Sequence, residues 1–230
     1  MNILEVNHIT KKYGTSLILD DINLRISKGK VYGLFGVDSN GTTTLIKLIN
    51  KLLIPDDGEI LFKNNPMGVE SREEISYLPD KDFLDENMNA LGAIKFYQDF
   101  YKDFNSKKAL KYIDLFDVDK HIKIYKMSKG MKDKLSFILI MSRNSTLYVI
   151  DEALTGVDSI TREKMFKTLY KNRNKDSSII ISSHILDDLD SLIDEIIILD
   201  KGKIVENKSI DKNTSIKGYL RRYSNDKEII

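Results

Sequence analysis

The chain has 230 residues with no Cys, no Trp and three His, which excludes a disulfide scaffold, thiol catalysis, iron–sulfur clusters and cysteine-ligated zinc. Lys and Arg number 36 against 35 Asp and Glu, a net charge of +1, so no general pull toward nucleic acid or anionic lipid is expected. Hydrophobic residues make up 41% and charged residues 31%, ordinary for a globular protein, and no run approaches the ~18–20 apolar residues of a spanning helix.

The length fits one large domain, or one domain carrying an inserted subdomain. The start, Met1 to Val6, lacks the basic and apolar regions of a signal peptide, so a cytoplasmic chain is expected. Residues 2–8, 22–27 and 59–63 alternate apolar and polar side chains, as half-buried strands do. Residues 31–35 read as a buried strand, followed by a polar turn from Gly36 to Gly41 and a helix over 43–53. Pro55-Asp-Asp-Gly58 stops that helix, and residues 75–79 form another strand. From 82 to 143 the pattern is helical only, near 90–104, 106–117 and 129–143. Strands return at 146–150, 178–182, 196–199 and 203–206, separated by helices at about 159–174 and 185–192. Such alternation predicts an α/β fold: a mostly parallel central sheet, an antiparallel β region from the N-terminal strands, and an inserted helical subdomain. The expected division is a core at about 1–81 and 144–206, a helical subdomain at about 82–143, and a peripheral tail at 207–230.

The turn Gly36-Val-Asp38-Ser39-Asn40-Gly41-Thr42-Thr43-Thr44 follows a buried strand and opens a helix. Unpaired backbone amides at a helix start attract anions, and glycines let the loop curl around a phosphate. The phosphate-loop pattern G-x-x-x-x-G-K-[ST] is met at both glycines and at Thr43, and fails at the Lys, where Thr42 stands. Next, Leu147-Tyr-Val-Ile delivers two carboxylates, Asp151 and Glu152, at a strand's C-terminal edge, where ligands sit in parallel α/β sheets. Asp151 suits a Mg²⁺ shell and Glu152 suits orienting an attacking water. Weaker signals are Asp80 at a strand edge, Met127-Ser128-Lys-Gly130-Met131 opening a helix, the turn ending at Asp158, and His184 after a strand. Ser128 also reads simply as an N-cap.

Taken in order and spacing, these motifs resemble the ATP-binding subunit of ABC transporters over nearly the whole chain. The resemblance implies that Tyr13 stacks on adenine, that Gly36, Asp38, Ser39, Asn40, Gly41, Thr42, Thr43 and Thr44 cradle the phosphates, and that Thr43, Asp80 and Asp151 form the Mg²⁺ side. It implies that Glu152 polarises water and His184 contacts the γ-phosphate. Ser128 and Gly130 would face the nucleotide of a second ATP-binding subunit in a head-to-tail homo- or heterodimer, and Asp158 would lie at that dimer interface. The expected cofactors are ATP and Mg²⁺. The expected partners are that subunit and an integral membrane permease touching the helical subdomain near 80–104, which would hold the chain on the inner membrane face; no nucleic acid is expected.

The bacterial multidrug, antibiotic and peptide exporter branch is the most similar, since its members can carry S-K-G signatures and an acidic residue in place of Gln at position 80. Departures from the family pattern are Thr42 for Lys, Ser39 for Gly, Asp80 for Gln, Lys129 for the first signature Gly, Met127 for Leu and Ala153 for Pro. They leave two readings: the ATPase subunit of an exporter, or a catalytically impaired partner that pairs with an intact subunit.

Overall fold

A computed structural model of the chain describes residues 1–37, 41–183, 189–211 and 215–223. Its framework is two sheets with helices between and around them. Strands β1 (Asn2–Tyr13), β2 (Ser16–Ser27), β4 (Asp57–Phe62) and β5 (Asn65–Pro66) form an antiparallel sheet in the order β2-β1-β4-β5. The second sheet contains β3 (Val31–Gly36), β6 (Ile75–Leu78), β7 (Leu147–Asp151), β8 (Ser178–Ser182), β9 (Glu195–Asp200) and β10 (Lys203–Ser209), in the order β10-β9-β3-β8-β7-β6. All its pairings are parallel except that of β10 with β9.

Helix α1 (Thr42–Ile49) lies between the sheets. Its Leu45, Ile46, Leu48 and Ile49 join one core with Leu4, Val6 and Ile9 of β1 and with Leu147 and Val149 of β7. The alternate residues of β7, Tyr148 and Ile150, join a second core with the helical block. Each central strand therefore buries both faces, which is why its sequence is an unbroken apolar run rather than an alternation. A short α2 (Val69–Glu73) precedes β6. The helical block comprises α3 (Ala90–Phe100), α4 (Ser106–Leu115) and α5 (Lys129–Met141); α6 (Ser159–Asn172) and α7 (Ile216–Leu220) follow later in the chain.

The N-terminal hairpin is longer than expected: β1 runs to Tyr13 and β2 starts at Ser16, around a turn in which Gly14 has φ 59°. Its register shifts repeatedly between Val6 and Lys12, which breaks the clean alternation a sequence scan needs. Helix α1 stops at Ile49 instead of 53, because Lys51 takes a positive φ of 52°. Of the helix expected at 185–192, residues 184–188 lie outside the described residues and 189–192 form turns. The segment expected as a peripheral tail from 207 on carries packed structure. Ile216, Tyr219 and Leu220 of α7 are buried in the second core, and the hydroxyls of Tyr219 and Tyr223 donate to Glu206.

Candidate functional site

Parallel pairing aligns the C-terminal ends of β3, β8, β7 and β6 along one edge of the sheet. That edge collects Gly36, the start of α1, Ser182, Asp151 with Glu152, and Asp80. Asp38, Ser39, Asn40 and His184 lie outside the described residues. Gly41 ends the loop with φ 111°, and a Cβ there would sit 2.7 Å from a methyl of Leu199. Only Gly fits this position, on both conformation and space. Thr42, Thr43 and Thr44 form the first turn of α1, with Thr42 buried and the other two half-buried. No acidic side chain occupies that turn, so the free amides and the positive end of the helix dipole face no competing carboxylate within the helix.

Asp151 carries the clearest electrostatic signature. It is 1% exposed. Its Oδ1 accepts from the Ser182 hydroxyl at 2.8 Å, while Oδ2 is buried without a hydrogen-bond partner. Burial pushes its carboxyl above the usual range, helped by the charges of Glu152 and Asp80; the Ser182 bond and the charge of Lys47 oppose this. The Tyr77 hydroxyl lies beside it outside hydrogen-bond geometry, and burial together with the Asp151 charge holds the tyrosine proton tightly. An orphaned, buried carboxylate oxygen at a strand end fits a divalent cation. Asp151 is thus the residue suited to hold Mg²⁺, with the Thr43 hydroxyl as a candidate second donor. Among the described residues no group of three or more His, Asp or Glu is already gathered in metal-binding geometry. Asp80 is exposed, but its charge acts on both Asp151 and Asp133.

The backbone after Asp151 is strained. Glu152 has φ 47° and Leu154 φ 67°, left-handed values that cost a non-glycine residue of order 1–3 kcal/mol each. The loop is held from three sides. The Glu152 N–H donates to the Ser182 carbonyl at 2.9 Å. Buried Arg162 donates through Nη1 to the carbonyls of Val157 at 3.0 Å and Leu154 at 3.4 Å. Asp133 accepts from the Gly156 N–H at 2.8 Å. Asp158 then caps α6, accepting from the Thr161 N–H at 2.9 Å, and those bonds hold its carboxyl below the usual range.

Ser128 caps α5, its hydroxyl accepting from the Met131 N–H at 3.3 Å. Gly130 abuts Gly156 so closely that a Cβ at Gly130 would meet the Gly156 carbonyl oxygen at 2.5 Å. The structure thus brings Ser128, Gly130 and the loop to Asp158 together, next to Glu152. Tyr13 stands apart at the tip of the β1–β2 hairpin, half its surface exposed. Sequence reasoning missed Asp133 and Arg162. Both act on backbone atoms of a loop, and neither belongs to a residue pattern that spacing could reveal.

The family model described as ABC transporter matches residues 19–155. The chain is 27% identical to the lantibiotic transport ATP-binding protein SrtF of Streptococcus pyogenes, over 93% of this chain and 94% of that protein. It is 25% identical to the ABC transporter ATP-binding protein YtrB of Bacillus subtilis, over 91% of this chain and 73% of that protein. Among solved structures, an ATP-binding subunit of an ABC transporter superposes with a TM-score of 0.83 at 22% identity, covering 96% of this chain and 98% of that one. The chain belongs to the ABC transporter family, as a nucleotide-binding subunit.

Proposed function

We propose that this chain powers a bacterial exporter, binding and hydrolysing ATP in the cytoplasm to drive a separate membrane permease. Among the described residues no helix is long and apolar enough to cross a membrane; in this reading the transport path belongs to that partner. Similarity to a lantibiotic transport protein supports export of peptide antibiotics as the task. The observation that carries the ATPase reading is the buried carboxylate of Asp151, its Oδ2 unpartnered, at the same sheet edge as the free amides of α1.

In this reading the amides of Thr42, Thr43 and Thr44 hold phosphate oxygens, Tyr13 stacks on the base, and Asp151 with the Thr43 hydroxyl orients Mg²⁺. Bound Mg²⁺ neutralises charge developing on the transferred phosphoryl group. Glu152, held at a left-handed φ beside Asp151, orients the attacking water. His184, outside the described residues, contacts the γ-phosphate in this reading. Ser128, Gly130 and Asp158 form the face presented to the nucleotide of a second subunit.

One observation favours a second reading, an impaired subunit paired with an intact one. Thr42 puts an uncharged hydroxyl where the family uses a Lys. The lost charge-assisted phosphate contact is worth roughly 1.5–3 kcal/mol, or about 10- to 150-fold in ATP affinity. The test is Mg²⁺-ATP binding and turnover of the parent and of Thr42→Lys at fixed salt. Measurable parental turnover, rising with affinity in the variant, supports the ATPase. Affinity gained without turnover supports the impaired subunit. No gain in affinity removes Thr42 from the phosphate contact.

A further inference from the structure

Asp133 lies four residues beyond Lys129, on the first turns of α5, and its carboxylate reaches a loop outside that helix. Oδ2 accepts from the Gly156 N–H at 2.8 Å, across 23 residues of sequence. Beside that bond the backbones of Gly130 and Gly156 touch: a Cβ on Gly156 would lie 2.9 Å from the Gly130 nitrogen and 3.0 Å from Asp133 Oδ2. Burial pushes the Asp133 carboxyl up, against the pull of the Gly156 amide and of Lys129, and the charges of Asp82 and Asp80 add to the push. A carboxylate kept half-buried with two acidic neighbours is a costly choice for a helix surface, and its one short bond goes to a loop backbone. The opposite side of that loop is held by Arg162 on the Val157 carbonyl at 3.0 Å. The two clamps hold adjacent residues, Gly156 and Val157, immediately before Asp158, which caps α6.

We propose that Asp133 is a positioning residue that locks the loop 153–158 to the start of α5, so that Ser128, Gly130 and Asp158 meet a second subunit's nucleotide as one rigid face. This rests on the proposed function, because it needs the face to engage that nucleotide. Asp133 touches no nucleotide itself. Its contribution is to keep two segments, one before and one after the Asp151–Glu152 pair, from moving independently when the subunits close.

The experiment compares the parent with Asp133→Ala and Asp133→Asn. Hydrogen exchange of the nucleotide-free proteins reads the lock directly. In Asp133→Ala the Gly156 amide should exchange about tenfold faster, the loss of one hydrogen bond to a charged acceptor, with the rest of the chain unchanged. Asp133→Asn should restore protection, since its side-chain oxygen still accepts. Sedimentation with Mg²⁺-ATP then reads the function. Asp133→Ala should bind ATP as the parent does, yet need about tenfold more protein to dimerise, and Asp133→Asn should recover the parental value. Unchanged exchange at Gly156 in Asp133→Ala, or faster exchange with parental dimerisation, overturns the inference. A parent that shows neither ATP binding nor ATP-driven association overturns the proposed function instead, and this inference falls with it.

Discussion

Asp151→Asn should make the nucleotide-free protein more stable at neutral pH, although it removes a residue assigned to the site. The carboxylate is 1% exposed and one of its oxygens has no partner, so its ionised form carries an uncompensated desolvation cost. Asn keeps the acceptor for the Ser182 hydroxyl and removes the charge. It still buries an amide, so the net gain is about 1–2 kcal/mol, or roughly 2–8 °C in melting temperature for a chain this size. The sign follows from the raised pKa. The folded state holds the proton more tightly than the unfolded state, so the cost is absent below the ordinary Asp value of about 4, grows as pH rises above it, and is complete once pH passes the higher folded value. The advantage of Asn should therefore be largest near pH 7.5 and vanish toward pH 4. Circular dichroism melts with EDTA measure it; the chain has no Trp for intrinsic indole fluorescence. With Mg²⁺-ATP the order should invert, because only the carboxylate gains a partner. A variant less stable than the parent at neutral pH, or one whose advantage persists at pH 4, would refute the account of Asp151.

Glu152→Gln should leave ATP affinity within about twofold and lower any turnover by a factor of 10² or more, the scale of general-base catalysis; equal turnover removes Glu152 from the mechanism. Gly130→Ala should lower stability by about 1–3 kcal/mol, since its Cβ would meet the Gly156 carbonyl at 2.5 Å and only backbone can yield; a chemical-denaturation midpoint within error of the parent would contradict this contact. Arg143→Met should cost about 3 kcal/mol or more in the same assay. The buried guanidinium joins Asp103 at 3.0 Å, the Ile75 carbonyl at 2.8 Å and the Tyr101 ring at 3.9 Å, tying the helical block to β6. A loss under 1 kcal/mol would show that this tie is not what holds them.

The central strands and α1 were legible because burial on both faces or on one stripe leaves a periodic signature in the residues themselves. The strand-end position of Asp151 and the opening of α1 at Thr42 were legible for a related reason: each is set by adjacent residues. Asp133, Arg162 and Arg143 were not, because each works on backbone groups 5 to 70 residues away, and nothing local marks an Asp that accepts from a distant amide. The segment after 206 misled for the opposite reason. Its composition is polar, yet Tyr219 lays an apolar ring into the core while its hydroxyl donates to Glu206.

Thr42 and the loop after Asp151 point in opposite directions, and their energies can be compared. Losing the Lys forfeits roughly 1.5–3 kcal/mol of phosphate binding. Two left-handed non-glycine residues and a buried orphan carboxylate oxygen represent several kcal/mol of strain and desolvation still carried by the folded chain. A site with no remaining use gains stability from any change that relaxes these features: Asn at Asp151, or Gly at Glu152 and Leu154. The chain retains all three residues, with Arg162 and Asp133 holding the loop that contains the strain. The cost is therefore concentrated where Mg²⁺, water and a second subunit would recover it. On the proposed function, both features fit a site whose phosphate grip is weak in the monomer and is completed when two subunits close around the nucleotide.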